Sequence, residues 1–282
     1  MKLLTTVDVP RNGLQFTLHD RIMVLGSCFA DEIGSRLLKA GFDACVNPFG
    51  TLYNPVSIAN SVARLGSGIP FRKEDCVAMG AGAGLICSWW HHTSFARKDE
   101  EQFLHDANAA LELASAFWKD CNKVIVSLGT AMVWNLRENG ETVSNCLKRP
   151  AAEFSHEMLP LPAVSAVLQR LVRSSPDKQF LFTVSPIRHL GEGAHTNTIS
   201  KSTLLLALDG IGADYFPAYE ILMDELRDYR FYADDLVHPS KLAADIIWER
   251  FLDSAGDPAE RERIKENEKA ARFAAHRHKN IV

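Results

Sequence analysis

Three residue types that hydrolases use together lie near opposite ends of the sequence. Ser27 follows a glycine at the end of a short apolar run, and Asp235 stands three positions before His238. A serine hydroxyl is a poor nucleophile until a neighbouring base removes its proton, and an imidazole does this best when a carboxylate orients it. The sequence therefore predicts an acyl-transfer triad of Ser27, His238 and Asp235.

The segment around Ser27 has the pattern of a strand that turns directly into a helix. Residues 22–25 form a buried-strand pattern, and residues 30–37 place apolar side chains on one helical face. Ligands bind outside the carboxyl ends of parallel strands, and a helix N-terminus offers free N–H groups to a developing anion. Serine is also a favoured helix cap, so a purely structural role for Ser27 stays open, as does Asp234 in place of Asp235.

Further apolar runs alternate with helical patterns along the chain. Strands are expected at 42–46, 123–128 and 180–184 and within 214–222, where Pro217 interrupts, and helices at 55–65, 100–118, 162–172, 198–208 and 241–252. Strands that alternate with helices indicate a parallel sheet covered on both faces. We therefore expect an α/β fold in a single domain over 1–282, with an insertion over the site at about 67–120 and a charged tail at about 257–282.

The composition excludes several classes of function. The chain has 282 residues and a formal net charge of −4, which gives no reason to expect a nucleic acid partner. No apolar run approaches the length of a membrane-spanning helix, and the N-terminus lacks a sustained apolar segment, so we expect a soluble cytoplasmic protein. The six cysteines are scattered without zinc-ligand spacing, which favours reduced thiols and no metal site.

The residues that carry this chemistry resemble a known family. The segment 26–30 reads GSCFA, the signature after which the GSCFA family is named, and that family resembles the SGNH/GDSL hydrolases. The likeness extends through segments 47–55, 88–95, 128–131 and 185–189. It implies a three-layer α/β/α sandwich with a mainly parallel, flavodoxin-like sheet and no cofactor. It also implies that Ser27 is the nucleophile, His238 the base and Asp235 its orienting partner.

One departure from the SGNH pattern concerns the nucleophile. That pattern has Gly-Asp-Ser where this chain has Gly-Ser-Cys, so a shift of one position would make Cys28 the nucleophile. A thiolate paired with an imidazole is sound chemistry, whereas a cysteine beside Phe29 also suits a packed core. Ser27 is the predicted nucleophile and Cys28 the alternative.

A second departure concerns the oxyanion hole. The SGNH pattern has a Gly-x-Asn-Asp block that supplies a donor, and this chain has Gly-Thr-Ala at 129–131 in its place. Loss of one donor typically lowers the rate by about 100- to 1000-fold. The predicted donors are the backbone N–H groups of Ser27 and Gly50 with the Thr130 hydroxyl, or a side chain among Asn54, Asn145 and Asn197.

Two groups of residues are candidates for substrate binding. Trp89, His91 and His92 combine flat apolar surface with hydrogen-bond donors, as a pocket for a sugar or aryl group requires, although a packed hairpin also explains them. Arg188 and His189 follow a predicted strand and suit an anionic group, although a surface pair is equally consistent. The remaining candidates are Asn54, Asn197, His195 and Lys201.

These inferences point to an ester hydrolase that works through an acyl-enzyme on Ser27. The expected substrate is a small-molecule or carbohydrate ester. Transfer of the acyl group to a carbohydrate hydroxyl uses the same intermediate and stays open as an alternative. A non-catalytic binding module on the same fold is the alternative from another class, favoured by the missing asparagine and disfavoured by the complete set of Ser27, Asp235 and His238.

Overall fold

A computed structural model describes residues 5–9 and 13–279. Its strands are β1 (Arg21–Gly26), β2 (Asp43–Val46), β3 (Val77–Ala78), β4 (Ile86–Cys87), β5 (Lys123–Leu128), β6 (Met132–Leu136), β7 (Thr142–Val143), β8 (Phe154–Met158) and β9 (Gln179–Val184). Its helices are α1 (Cys28–Ala40), α2 (Pro55–Ser67), α3 (Glu100–Asp120), α4 (Leu161–Arg173), α5 (Ala194–Gly210), α6 (Ala218–Glu220), α7 (Lys241–Ala255) and α8 (Arg261–Lys279).

The centre of the fold is a four-stranded parallel sheet in the order β2-β1-β5-β9. Side chains alternate between its two faces because the period of a strand is two residues. Met23 faces a core shared with α2, α3, α4 and α5, whereas Val24 faces a core shared with α1, α6, α7 and α8. These two layers of helices around one sheet confirm the predicted three-layer α/β/α sandwich.

The expected strand within 214–222 is shortened to a single bridge beside β9. Tyr215 makes a single parallel bridge to Phe182, and α6 begins directly after Pro217. A proline has no N–H group to donate to a strand ladder and is well suited to the start of a helix, so pairing ends at this point.

Segment 67–120 was expected as an insertion over the site, but its longest element, α3, packs within the helical layers. Its helix α3 lies against α2 and the central sheet, where Phe103 and Leu111 are buried in the core. The short β3 and β4 strands form an antiparallel pair before it. This helix is therefore part of one helical layer of the sandwich.

A second antiparallel sheet, in the order β7-β6-β8, follows the carboxyl end of β5. Its first two strands are joined by a turn that contains Asn139 and Gly140, with Gly140 at a φ of 74°. Asn-Gly between apolar alternating segments is a strong hairpin signal because both residues tolerate the left-handed region. This small sheet extends the fold beyond the edge of the central sheet where ligands bind.

The C-terminal tail contains a helix that docks on the sandwich. Asn267 Nδ2 donates to the Ala40 carbonyl oxygen at 2.9 Å, and Trp248 Nε1 donates to Glu268 Oε1 at 2.7 Å. These bonds fix α8 against α1 and α7, while residues 280–282 lie outside the described part of the chain. Within the described residues, no helix has both the length and the apolar character needed to cross a membrane.

Candidate active site

The turn between β1 and α1 is held tightly against β5. Gly26 has a φ of 136°, and a β-carbon there would overlap the backbone of Ser127, so this position requires glycine. Asn47 Oδ1 accepts the Gly26 N–H at 2.8 Å, and Asn47 Nδ2 donates to Asp31 Oδ1 at 2.7 Å. One amide side chain thus fixes both the turn and the first helical turn that follows it.

Ser27 is buried inside this turn. Its Oγ lies 3.1 Å from Ser127 Oγ and accepts the Phe29 N–H at 3.3 Å, and its own N–H donates to the Ser127 carbonyl oxygen. None of its surface is exposed. Ser27 therefore acts as the N-cap of α1, the structural role that the sequence left open, and its hydroxyl contacts that of Ser127.

Cys28, the next residue, contacts the imidazole instead. Its Sγ lies 3.5 Å from His238 Nε2 at the first position of α1. Burial raises the pKa of the Cys28 thiol, and the N–H groups of Cys28 and Phe29 oppose that rise. The thiol at rest is therefore protonated and needs a base to become a nucleophile, and His238 is in position to be that base.

The loop before α7 orients the imidazole. His238 Nδ1 lies 2.6 Å from Asp235 Oδ2, while Asp235 Oδ1 accepts the N–H groups of Val237 and His238 at 2.9 Å each. These backbone N–H groups, together with the imidazole, hold the pKa of Asp235 at about 2. An ionised Asp235 places the Nδ1 proton on its own side and leaves Nε2 free to take a proton from Cys28. Asp235, and not Asp234, makes this contact.

The Cys28 and His238 pair stands between two cavities. The first has a volume of about 360 Å³ and is lined by Cys28, Tyr53, Asn54, Thr130, Met132, Trp134, Val143, Ser144, His156, Ile187, Arg188, His189, Glu192, Val237 and His238. The second, of about 320 Å³, lies toward the start of α7 and includes Phe29, Pro239 and Ala244. Cys28, Ile187 and His238 line both, so a group bound to the sulfur is accessible from two sides.

Three of the predicted oxyanion donors already have other hydrogen-bond partners. The Gly50 N–H donates to the Asn47 carbonyl oxygen at 2.7 Å, and the Ser27 N–H is bonded to Ser127. Thr130 Oγ1 lies 2.9 Å from Ser200 Oγ and accepts the Met132 N–H. Each of these groups therefore satisfies a local turn or loop, and Thr130 also lines the first cavity.

Two other donors belong to residues that line the first cavity, Cys28 and Asn54. The Cys28 N–H is at the first helical position and, among the described residues, has no carbonyl acceptor. Asn54 caps α2 by accepting the Ser57 N–H at Oδ1, 2.9 Å away, so its amide NH₂ group is left for the first cavity that Asn54 lines. Asn145, by contrast, accepts the Leu147 N–H in its own turn. Asn54 is thus the predicted candidate that the geometry favours.

Arg188 and His189 line the first cavity as expected. Burial lowers the pKa of His189 to about 4, with smaller contributions from Lys201 and His238. Asn197 lies beneath them, where its Oδ1 accepts the His189 N–H at 2.9 Å. Asn197 therefore holds this loop in place and does not line the cavity.

The predicted aromatic and histidine cluster lies away from this cavity. His91 is fully buried among phenylalanines, with Nδ1 2.7 Å from Ser88 Oγ. His92 caps a short helix through the Ser94 N–H and packs against Gly50. Trp89 packs edge-on against Phe154. These three positions have the structural role that was the alternative for them, a packed hairpin core.

The second sheet supplies cavity residues that the sequence did not reveal as functional. Trp134 stacks on His156 with ring centroids 3.8 Å apart and an angle of 4° between the planes. His156 Nε2 lies 3.7 Å from Glu192 Oε1 on the opposite wall. The Asn139-Gly140 turn was the available signal, since it pairs Trp134 with the neighbouring strand and thereby places it beside the site.

The described residues contain no group of three or more His, Cys, Asp or Glu side chains that could hold a metal ion. All six cysteines, which lie within these residues, are free thiols.

The fold and site define an α/β/α protein with a thiol, imidazole and carboxylate aligned at the carboxyl edge of its parallel sheet. The profile of the GSCFA family matches residues 21–251, and the chain belongs to that family. The chain is similar to the crystal structure of the psychrotrophic esterase EstA from Pseudoalteromonas sp. inhibited by monoethylphosphonate. The two share 13% sequence identity with a TM-score of 0.40, and the match covers 84% of this chain and 96% of that chain. No curated protein matches the chain in a sequence search.

Proposed function

We propose that this protein is an acyl hydrolase for ester substrates, with Cys28 as the nucleophile, His238 as the general base and Asp235 as the residue that orients it. The observation that carries the proposal is the 3.5 Å distance between Cys28 Sγ and His238 Nε2 in a ring already bonded to Asp235. The nucleophile differs from the one expected from the sequence, because Ser27 caps α1, is buried and contacts Ser127 through its hydroxyl.

The reaction begins with proton transfer from Cys28 to His238 Nε2 as the sulfur attacks the ester carbonyl carbon. The carbonyl oxygen gains the negative charge and accepts hydrogen bonds from the Cys28 N–H and the Asn54 amide. The tetrahedral intermediate then expels the alkoxide, which takes the proton from His238, and a thioester remains on Cys28. Water attacks this thioester with His238 as base, and the acid and the free thiol are released.

The first cavity supports a small polar ester as substrate. Its volume of about 360 Å³ falls at the small end of the range for ligand pockets. Its walls combine the Trp134 and His156 rings with charged side chains, Arg188 and Glu192, so an acyl or alcohol group with both a flat face and polar substituents fits the chemistry. A carbohydrate ester has both properties.

Acyl transfer is a second candidate, favoured by the second cavity. An acyl group bound to Cys28 and occupying one cavity leaves the other open to an acceptor, which for a carbohydrate hydroxyl would replace water in the second step. Adding sugar acceptors to the reaction and identifying the products distinguishes the two: free acid alone supports hydrolysis, and acylated sugar supports transfer.

The decisive test is trapping of the acyl-enzyme. The protein is incubated with p-nitrophenyl acetate, quenched in acid and digested, and the acetylated peptide is identified by mass spectrometry in native, Cys28→Ala and Ser27→Ala proteins. We expect the acetyl group on Cys28 of the native protein, no acetylated peptide from Cys28→Ala, and an acetylated Cys28 peptide from Ser27→Ala. Neutral hydroxylamine should remove the acetyl group, because it cleaves thioesters but not serine esters. Acetyl on Ser27 would support serine catalysis instead, and no adduct would support the binding module.

A further inference from the structure

The second cavity differs in character from the first, although Cys28 lines both. Its walls include three apolar side chains of the interior: Phe29 of α1 is 2% exposed, Ala244 of α7 is 3% exposed and Ile187 is 4% exposed. Pro239 adds to this apolar lining. Walls of this kind favour an apolar ligand, because its surface leaves water when it binds.

Apart from the thiol and the imidazole, most polar side chains in the lining of the second cavity have partners of their own. Glu32 Oε1 accepts from Arg36 Nε at 2.7 Å. Ser240 Oγ donates to a backbone carbonyl oxygen at 3.0 Å and accepts a backbone N–H at 3.3 Å. Lys241 is exposed at the start of α7. A ligand in this cavity therefore meets mainly apolar surface.

The first cavity, by contrast, offers polar groups to a ligand. Asn54 keeps its amide NH₂ group after Oδ1 has capped α2. Arg188 and Glu192 bring opposite charges to the lining, and Trp134 and His156 bring their stacked rings. Such walls suit an alcohol with several hydroxyl groups better than a hydrocarbon chain.

We propose that the second cavity is the acyl pocket of the site, so that an apolar acyl chain lies in it while the alcohol part of the ester lies in the first cavity. This inference rests on the proposed function and names its substrates as esters of a short apolar acid with a polar alcohol. The alcohol then leaves the first cavity to water or to an acceptor, while the acyl chain stays in the second cavity on Cys28.

Ala244 is the residue that limits the length of the acyl chain. It lies in the first turn of α7, where its N–H donates to the Ser240 carbonyl oxygen at 2.9 Å. Its side chain is one methyl group in the wall of a cavity of about 320 Å³. A longer aliphatic side chain at this position would occupy the space that the acyl chain needs.

The first experiment measures how fast the Cys28 thiol reacts with methyl and with butyl methanethiosulfonate. The thiolate attacks the sulfur that carries the alkyl group, a mixed disulfide forms and methanesulfinate leaves. Each rate is taken from the Cys28 peptide by mass spectrometry and divided by the rate of glutathione with the same reagent. This division removes the intrinsic reactivity of each reagent, and no ester needs to be cleaved.

In native protein we expect the corrected rate with the butyl reagent to exceed that with the methyl reagent by about tenfold. Complete burial of one methylene group is worth about fourfold, so partial burial of the three added groups suffices. Ala244→Leu, which fills the second cavity, should lower this ratio by about tenfold. Ser144→Leu is the matched control, because it adds the same side chain to the first cavity and should keep the native ratio.

A native ratio near one would overturn the proposal, and so would an equal fall of the ratio in the two leucine variants. A fall in Ser144→Leu alone would put the alkyl chain in the first cavity and overturn it as well. A crystal structure of the butyl-modified native protein covers the case in which Ala244→Leu does not fold. We expect the chain to lie against Phe29 and Ala244, and a chain that lies against Trp134 would overturn the proposal.

The same comparison with p-nitrophenyl butyrate and p-nitrophenyl acetate separates this proposal from the proposed function. In native protein kcat/KM should favour the butyrate, and Ala244→Leu should reverse that preference. Hydrolysis of both esters with a disulfide ratio near one would overturn the acyl pocket and leave the hydrolase in place. A tenfold disulfide ratio without hydrolysis of either ester would count against the hydrolase and still support an apolar pocket beside the thiol.

Discussion

Within the described residues, an imidazole lies close to a potential nucleophile in two regions, around His91 and around His238. His91 Nδ1 lies 2.7 Å from Ser88 Oγ, a shorter contact than the 3.5 Å between His238 Nε2 and Cys28 Sγ. By residue type and distance alone, the first pair is the better candidate.

The surroundings reverse that ranking. Phe71 and Phe103 pack around the His91 ring, and burial lowers its pKa to about 3. Its Nε2 has no hydrogen-bond partner among the residues that the structure describes. His238 is half-exposed, bonded to Asp235 and open to two cavities. The difference teaches that a competent site needs a carboxylate to orient the base and space for a substrate, neither of which a short contact guarantees.

Removing the nucleophile is the change with the largest expected effect on this comparison. We expect Cys28→Ala to lower kcat for p-nitrophenyl acetate by at least about 1000-fold, because without the sulfur no thioester forms and only binding and oxyanion stabilisation remain. His91→Phe, which removes the other imidazole, should leave kcat within about twofold. Steady-state kinetics on both variants checks this, and a His91→Phe enzyme as inactive as Cys28→Ala would contradict it.

Replacing the orienting carboxylate comes next. In Asp235→Asn the amide can donate to Nδ1 and so favour the tautomer that carries its proton on Nε2, which cannot accept the thiol proton. We expect kcat to fall by about 1000-fold while KM changes little. Asp234→Asn is the matched control, because Asp234 is the adjacent carboxylate and does not contact the imidazole. Equal losses in the two variants would mean that the loop, and not Asp235 itself, supports the base.

A smaller effect is expected from the amide donor. Asn54→Ser keeps a cap for the Ser57 N–H at the start of α2 but removes the NH₂ group from the first cavity. We expect kcat to fall by about 100-fold, the typical cost of one oxyanion donor, with little change in thermal stability. Unchanged kcat in Asn54→Ser, measured beside an inactive Cys28→Ala, would leave the Cys28 N–H as the main donor.

Most of the architecture could be predicted from the sequence because its signals are local. The apolar runs at 22–25 and 123–128 and the helical periodicity after them are strong and uninterrupted. The second sheet was missed although Asn139-Gly140 marked its first turn, since its strands are short and one of them, β7, has only two residues. The strand expected within 214–222 is shorter than predicted, because pairing with β9 ends before Pro217.

The choice between Ser27 and Cys28 could not be made from the sequence. Adjacent residues at a strand-to-helix turn point in different directions, and the direction depends on Ser127, one hundred positions away, whose hydroxyl faces Ser27. His91 is a similar case, because the phenylalanines that bury it come from α3 and from before β3. Residue types showed which groups were available, and long-range packing decided which of them reached the cavity.

The smallest expected effect is on how the free energy of unfolding depends on pH, and it distinguishes His91 from His238. Folding lowers the pKa of His91 from 6.5 to about 3. As the pH falls below 6.5, this histidine therefore binds a proton in the unfolded chain but not in the folded chain. The stability associated with neutral His91 is thus present above pH 6.5 and is lost progressively toward pH 3. Between about pH 7 and pH 5 the loss from this group amounts to about 2 kcal/mol.

We therefore expect His91→Phe to lose about 2 kcal/mol less of its unfolding free energy than native protein between about pH 7 and pH 5, as measured by urea denaturation at each pH. Its ring suits the surrounding phenylalanines and removes the unpaired Nε2. His105→Gln is the control, because the His105 side chain is 80% exposed and should leave the difference unchanged. An unaltered pH dependence in His91→Phe would mean that His189, whose pKa burial also lowers, carries the acid sensitivity instead.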